Sequence, residues 1–311
     1  MLAAGGPELA RLLERAEQRL SDIVQGHGEL LGRHAETTLS AGGKRLRPVL
    51  VFLCAEEPDD SLVSAAVAVE LLHMATLVHD DVLDAADLRR GRPTVFARGG
   101  RGEATATGDL LFSRAFAELA AAGSPDAVRA LSTASSALAR GELMQREDAF
   151  DSEVTEDRYL ERCRLKTAGL FEASCRLGAL FGGRPELADE LGRFGERLGV
   201  AFQMLDDVLD VSGPPERTGK PRGADLFDGT VTLPLILARR EDPSLTGSVR
   251  CAEEAAAVCD RIAATGALAQ AREQALAYVA EAKAVLGEIA LTEARTAALM
   301  LVADGVVERY A

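Results

Sequence analysis

The sequence predicts an all-α protein, and three observations carry that prediction. Helical periodicity runs almost without interruption along the 311 residues. Ala, Leu, Glu and Arg are abundant, while proline is sparse (11) and tryptophan absent, a mix that favours helix. Alternating strand patterns are essentially missing.

Taken in order, Leu9, Leu12, Leu13, Ala16 and Leu20 mark an amphipathic opening helix after Pro7. Leu62 to Asp84 reads as one long, largely apolar helix. Further helices are expected over about 103–122, 126–147, 155–181, 186–211, 232–240, 249–264, 266–287 and 291–309. Gly/Pro clusters separate them: Gly42-Gly43, Gly91-Arg92-Pro93, Gly99-Gly100, Gly123-Ser124-Pro125, Gly182-Gly183-Arg184-Pro185 and Gly213-Pro214-Pro215. No long linker divides the chain, so residues 1–311 read as a single domain of about ten or more helices. Helices 62–84 and 186–211 are the most apolar and should lie centrally.

Composition bounds the function. A hydrophobic content of 47% supports a sizeable core. With a formal charge of −14 and a pI near 4.9, the chain should not bind nucleic acid or an anionic membrane through bulk charge. Anionic substrates would require metal ions and a local basic patch. Cys54, Cys163, Cys175, Cys251 and Cys259 show no CxxC and no ligand-like spacing with the four histidines, which points to free thiols in a reducing cytosol. The start lacks a basic segment followed by an apolar core, and no run of 18 or more apolar residues appears. Neither a signal peptide nor a membrane span is expected, and the chain reads as cytoplasmic.

The chemistry concentrates in a repeated pentapeptide. Asp80-Asp81-Val82-Leu83-Asp84 recurs as Asp206-Asp207-Val208-Leu209-Asp210, each set in an apolar helical stretch. With 21 Asp, a chance DDxxD arises roughly 0.1 times per chain, so two are not accidental. The first, second and fifth positions share roughly one helix face. Three carboxylates there repel unless a cation lies among them. Two such faces opposed across a cleft would cage hard divalent cations, most simply Mg²⁺, together with substrate phosphates.

Basic residues surround both copies. His73, Thr76, Asp80, Asp84 and Asp87 fall on one stripe, which turns His73 toward a ligand. Arg89 and Arg90 follow in a turn and can grip phosphate oxygens bidentately; the bland alternative is a salt-bridge network with the aspartates. Gly42-Gly43-Lys44-Arg45-Leu46-Arg47-Pro48 places further cations before a helix. Lys166-Thr167 lie mid-helix in an apolar setting. Gln203 precedes the second cluster, and Lys220 and Asp225 follow it, the first a candidate phosphate cation and the second a support for a metal shell.

These motifs resemble the trans-isoprenyl diphosphate synthases, or polyprenyl synthetases, of the medium- to long-chain type. The likeness covers nearly the whole chain in order: GGKRLRP (42–48), HMATLVHDDVLDAADLRRGRP (73–93), GELMQ (141–145), KT (166–167), FQMLDDVLD (202–210), GKPRGADL (219–226) and TLP (232–234). The resemblance implies the isoprenoid synthase fold, a large helical bundle around a deep central cavity, usually as a homodimer. It implies Mg²⁺ at Asp80, Asp81, Asp84, Asp206, Asp207 and Asp210, three ions per site with substrate bound, with Asp80, Asp84 and Asp206 the foremost direct ligands. It assigns Lys44, Arg47, His73 and Arg90 to isopentenyl diphosphate. Arg89, Lys166, Thr167, Gln203 and Lys220 fall to the allylic diphosphate. Asp80, Asp81, Asp84, Arg89, Lys166, Asp206, Asp207 and Lys220 are the implied catalytic set.

In such enzymes the growing tail runs along the first aspartate helix, and bulk just before the cluster stops it. Ala75 and Thr76 are both small here, which favours a product longer than C15. A C20 product is the alternative, should deeper residues cap the pocket. Two departures stand out: Gly99-Gly100-Arg101-Gly102 replaces a Trp-Gly-Asn-type turn, and Asp228-Gly229-Thr230 lacks a lysine often found before TLP. A class I terpene cyclase would carry a different second metal motif and lack GGKRLRP. A non-catalytic subunit of a heteromeric synthase would lose aspartates or basic residues that this chain retains.

Overall fold

The chain's apolar periodicity becomes helix almost throughout in the computed structural model, which describes residues 6–26, 28–40, 45–89, 91–213, 222–245 and 249–308. The chain divides into two compact units. The first comprises Met1–Thr133, Ala173–Gly192 and Ile289–Leu301; the second comprises Ala134–Glu172, Arg193–Glu288 and Val302–Ala311.

In the first unit, α1 (Gly6–Gln25), α2 (Glu29–Ser40), α3 (Leu46–Leu53) and α5 (Val95–Ala121) surround α4 (Asp60–Leu83). Asp59 caps α4 by accepting the Leu62 amide at 2.9 Å. Leu62, Val67, Leu71, Leu72, Met74 and Val78 are all buried. Burying each such side chain stabilises the fold by roughly 1.5–3 kcal/mol before entropy is counted. By length and composition α4 is apolar enough to cross a bilayer, but 72% of its most apolar window is buried inside the protein, as in a core helix. The sequence expectation of a central first helix therefore holds within this unit. On α5, Gly108 faces His79 of α4, where any β-carbon would collide with the imidazole.

The second unit takes the later part of α6 (Pro125–Glu147), α7 (Glu156–Cys163) and most of α9 (Ala188–Ser212). It also holds α10 (Ala224–Phe227), α11 (Leu233–Glu241), α12 (Ala252–Ala264), α13 (Ala267–Glu288) and the end of α14 (Glu293–Glu308). Phe194, Leu198, Ala201, Met204 and Leu205 bury the inner face of α9.

The helices at Glu29–Ser40 and Leu46–Leu53 lie outside the expected ranges, and three further features depart from the sequence expectation. The helix expected over 155–181 is interrupted by a π-turn at Arg164–Ala168, after which α8 (Gly169–Phe181) begins. A two-residue antiparallel hairpin, β1 (Leu88–Arg89) and β2 (Arg92–Pro93), follows the first aspartate cluster. Strands so short carry no period-two signal. Finally, α5 starts at Val95 rather than near 103, and the Gly99-Gly100 break survives as a kink at Gly100 (φ 71°, ψ −176°). All five cysteines are free thiols.

Candidate active site

In the first unit, Asp80 and Asp81 close the C-terminal turn of α4, and Asp84 is its C-cap. The stripe drawn through to Asp87 stops there, because the helix does not continue. Asp84 is exposed and Asp80 half-buried, whereas Asp81 is 5% exposed. Arg89 Nε donates to Asp81 Oδ1 at 2.8 Å. The hairpin that carries Arg89 is clamped by Thr94, which caps α5 by accepting the Ala97 amide at 3.0 Å and donates its hydroxyl to the Ala86 carbonyl at 2.6 Å. So Arg89 does pair with an aspartate, but with the inward one, in a part-buried pair. His73 and Thr76 are half-buried; Ala75 is fully buried.

The basic segment before α3 splits by role. Arg45 adopts a left-handed backbone (φ 45°) and is tied to Glu17, to Glu70 at 2.6 Å and to the Leu39 carbonyl at 3.1 Å. It is thus a cross-brace between α1, α4 and the end of α2, not a member of the anion-receiving group that the sequence placed it in. Arg47 is half-buried nearby, and burial pushes its guanidinium down to about 10 against the pull of Glu70. Lys44, Arg90 and Lys220 lie outside the described residues.

The second unit gathers the remaining predicted residues. The π-turn presents Lys166 and Thr167. Thr167 donates to Gln203 Oε1 at 2.7 Å, Gln203 Nε2 donates to Asp207 Oδ1 at 2.8 Å, and the Tyr159 hydroxyl donates to Asp207 Oδ2 at 2.7 Å. Asp207 is 3% exposed. Burial, with Asp225 and Asp206 nearby, pushes its carboxyl up to about 8, against the stabilising hydrogen bonds from Tyr159 and Gln203. Asp206 is exposed and Asp210 half-buried. The Asp225 amide donates to Asp210 Oδ2 at 3.3 Å, which brings Asp225 to the second cluster as expected. Phe202 stacks obliquely on Phe171, with ring centroids 5.3 Å apart.

Lys166 is paired with Glu142 and donates to Gln145 Oε1 at 3.2 Å. Burial raises the Glu142 carboxyl, but Lys166 and Arg146 outweigh it and hold the group below its ordinary value. Glu142, Gln145 and Tyr159 are site residues that sequence reasoning missed. GELMQ was visible as a motif, yet nothing in its spacing reveals that Gly141 brings α6 against Lys166. Tyr159 stands seven residues before Lys166, where a π-turn disturbs helical spacing, so periodicity could not place it at the cluster. Among the described residues, no three acidic, histidine or cysteine side chains stand together closely enough to hold an ion alone.

Comparison with known proteins fits this arrangement. The sequence pattern of the Polyprenyl synthetase family matches residues 28–263. The chain is similar to heptaprenyl diphosphate synthase component 2 of Geobacillus stearothermophilus, with 40% identity over 292 residues and 91% of each chain covered. It is similar to geranylgeranyl diphosphate synthase of Methanosarcina mazei, with 37% identity over 323 aligned residues, 97% of this chain and 99% of the other. Its fold matches the crystal structure of a polyprenyl synthase from Caulobacter crescentus complexed with calcium and isoprenyl diphosphate, with TM-score 0.91, 35% identity and 97% of both chains covered. The matched stretch carries both aspartate clusters and the Lys166-Thr167 turn, and the chain belongs to the polyprenyl synthetase family as a prenyltransferase of the prenyl diphosphate synthase type.

Proposed function

We propose that the chain condenses isopentenyl diphosphate with an allylic diphosphate, with Mg²⁺, to a linear all-trans polyprenyl diphosphate longer than C15. The observation that carries this reading is a division inside each aspartate pair. Asp81 and Asp207 are turned inward onto protein donors, while Asp80, Asp84 and Asp206 retain exposed surface.

The donor set fits Mg²⁺. It is all carboxylate oxygen, and neither cluster closes a cage by itself. Mg²⁺ favours one or two carboxylates, retained waters and substrate phosphates over an all-protein shell. Asp80 and Asp84 of the first cluster, and Asp206 and Asp210 of the second, would hold the ions, three per site with substrate bound. When bound, the ions supply charge neutralisation for the departing diphosphate.

The chain's own residues supply the rest. Arg89 and Lys166, with Lys220, place fixed positive charge for the allylic diphosphate. Lys44, Arg47, His73 and Arg90 receive isopentenyl diphosphate. Thr167 and Gln203 set polar oxygens beside the reacting carbons. Ionisation of the allylic C–O bond releases diphosphate and leaves a carbocation; the isopentenyl double bond attacks it, and a proton passes to the departing diphosphate to restore an alkene. Apolar surroundings protect the cation from water. A homodimer of single-domain chains is the assembly we favour. The Geobacillus relative is named as one component of a synthase, so a second chain is the alternative partner. A stop at C20 is the second reading, favoured by the name of the Methanosarcina relative.

Purified chain with Mg²⁺ and isopentenyl diphosphate, supplied separately with dimethylallyl, geranyl, farnesyl and geranylgeranyl diphosphate, tests this. Chromatography should resolve linear diphosphates longer than C15. A product ending at C15, or a cyclic hydrocarbon formed without isopentenyl diphosphate, would overturn the reading.

A further inference from the structure

Tyr159 belongs to no element of the reaction as derived above, yet it is the largest fully buried side chain described. Its hydroxyl donates to Asp207 Oδ2, and its ring is held from the other side by the Arg162 guanidinium, 5.5 Å from the ring centroid. Arg162 is itself tied to the Val231 carbonyl. The other Asp207 oxygen accepts from Gln203, one helical turn earlier on α9. Both carboxylate oxygens are therefore engaged by donors from within the protein.

That engagement fixes the chemistry of Gln203. With its NH₂ donating to Asp207 Oδ1, the amide turns its carbonyl oxygen the opposite way. The Thr167 hydroxyl then donates to that oxygen at 2.7 Å. The result is a buried chain running Tyr159, Asp207, Gln203, Thr167. At its open end it presents oxygen lone pairs, not N–H groups. Reversing the amide would set an NH₂ group there, of the wrong polarity to face positive charge.

We infer that Tyr159 is a positioning residue: through Asp207 it locks the Gln203 amide so that oxygen, not nitrogen, faces the allylic carbon as positive charge develops. Asp207 thereby serves as an internal anchor, and cation binding falls to Asp206 and Asp210. The inference rests on the reading above that Thr167 and Gln203 border the allylic substrate. A lock of this kind acts on the charged transition state more than on substrate binding, so its loss appears in kcat and not in KM.

The test is a double-mutant cycle on the full chain, with Tyr159→Phe and Gln203→Ala, alone and together, plus Asp207→Asn. Tyr159→Phe keeps the ring and should lower kcat about tenfold, the scale of one lost buried hydrogen bond. KM for both substrates and the Mg²⁺ concentration at half-maximal rate should move by less than about twofold. In the Gln203→Ala background the same substitution should change kcat by less than about twofold, because the residue it acts through is gone. An equal loss in both backgrounds overturns the inference while leaving the reaction standing. Asp207→Asn keeps the shape but sets an NH₂ against one of the two donors, so it should lower kcat while leaving the Mg²⁺ requirement unchanged. A tenfold or greater rise in that requirement, with kcat restored at saturating Mg²⁺, makes Asp207 a ligand and also overturns the inference. Should Tyr159→Phe fail to fold, the Asp207→Asn measurement decides alone. If Gln203→Ala by itself keeps wild-type kcat, the placement of Gln203 beside the allylic substrate falls, and the inference falls with it.

Discussion

Gly141 seats the backbone of Lys166: a β-carbon at 141 would stand 2.6 Å from the Lys166 nitrogen and 2.9 Å from its α-carbon. Gly199 does the same for the far side of the π-turn, where a β-carbon would lie 2.6 Å from the Ala168 α-carbon. The turn that presents Lys166 and Thr167 is thus gripped by two glycines. Gly141→Ala should strain this contact by about 1–3 kcal/mol, offset by up to ~1 kcal/mol of helix propensity. The expected outcome is a melting temperature lower by a few degrees together with reduced kcat. A variant as stable and as active as the parent would show that the turn has room to move.

Glu142 holds the Lys166 ammonium, and its carboxyl titrates below its ordinary value of 4.5. Because the folded pKa is depressed, the pair's stabilisation is full above the unfolded pKa and is lost as pH falls through the folded one. Glu142→Gln should therefore lower stability at neutral pH, and the gap from the parent should narrow as pH drops below about 4.5. Thermal melts across pH 3–8 check this. A gap that is constant or widens toward acid would mean that charge is not what holds Lys166.

Members of each aspartate pair should fail differently. Asp80→Asn and Asp206→Asn should retain the parent's melting temperature and lose about 10²-fold or more in kcat. Asp81→Asn removes the charge that Arg89 pairs with in a part-buried setting, so it should also lower the melting temperature, by about 1–3 kcal/mol of stability. Chelation with EDTA should abolish turnover, and added Mg²⁺ should restore it. Equal melting losses for Asp80→Asn and Asp81→Asn would sink the distinction.

Thr76 and Ala75 should also separate. Thr76 lies one turn before Asp80 and is half-buried, whereas Ala75 is fully buried. Thr76→Phe should shorten the product, read by chromatography. Ala75→Phe places a ring into packed protein and should cost about 1–3 kcal/mol of stability or more. A product distribution unchanged by Thr76→Phe would remove this stripe from length control.

Particular elements show what was legible in the sequence. Helices 62–84 and 126–147 emerge within two residues of their expected bounds, because long apolar periodicity and flanking Gly/Pro residues are local signals. The π-turn at 164–168 was invisible, since it arises where Gly141 and Gly199 press from other helices. The roles of Arg45 and Arg47 could not be separated by composition. Arg45 is diverted by Glu17 and Glu70, residues 28 and 25 positions away in sequence.

By itself the sequence determined the all-helical class, the two aspartate clusters and their basic company, because these depend on residue type and short spacing. Only the tertiary structure decided which carboxylate of each pair turns inward. Asp80 and Asp81 are neighbours of the same type, as are Asp206 and Asp207. Helical rotation of about 100° sets the second of each pair against Arg89 or Tyr159 and Gln203, donors from residues that the sequence does not place beside them or gives no role.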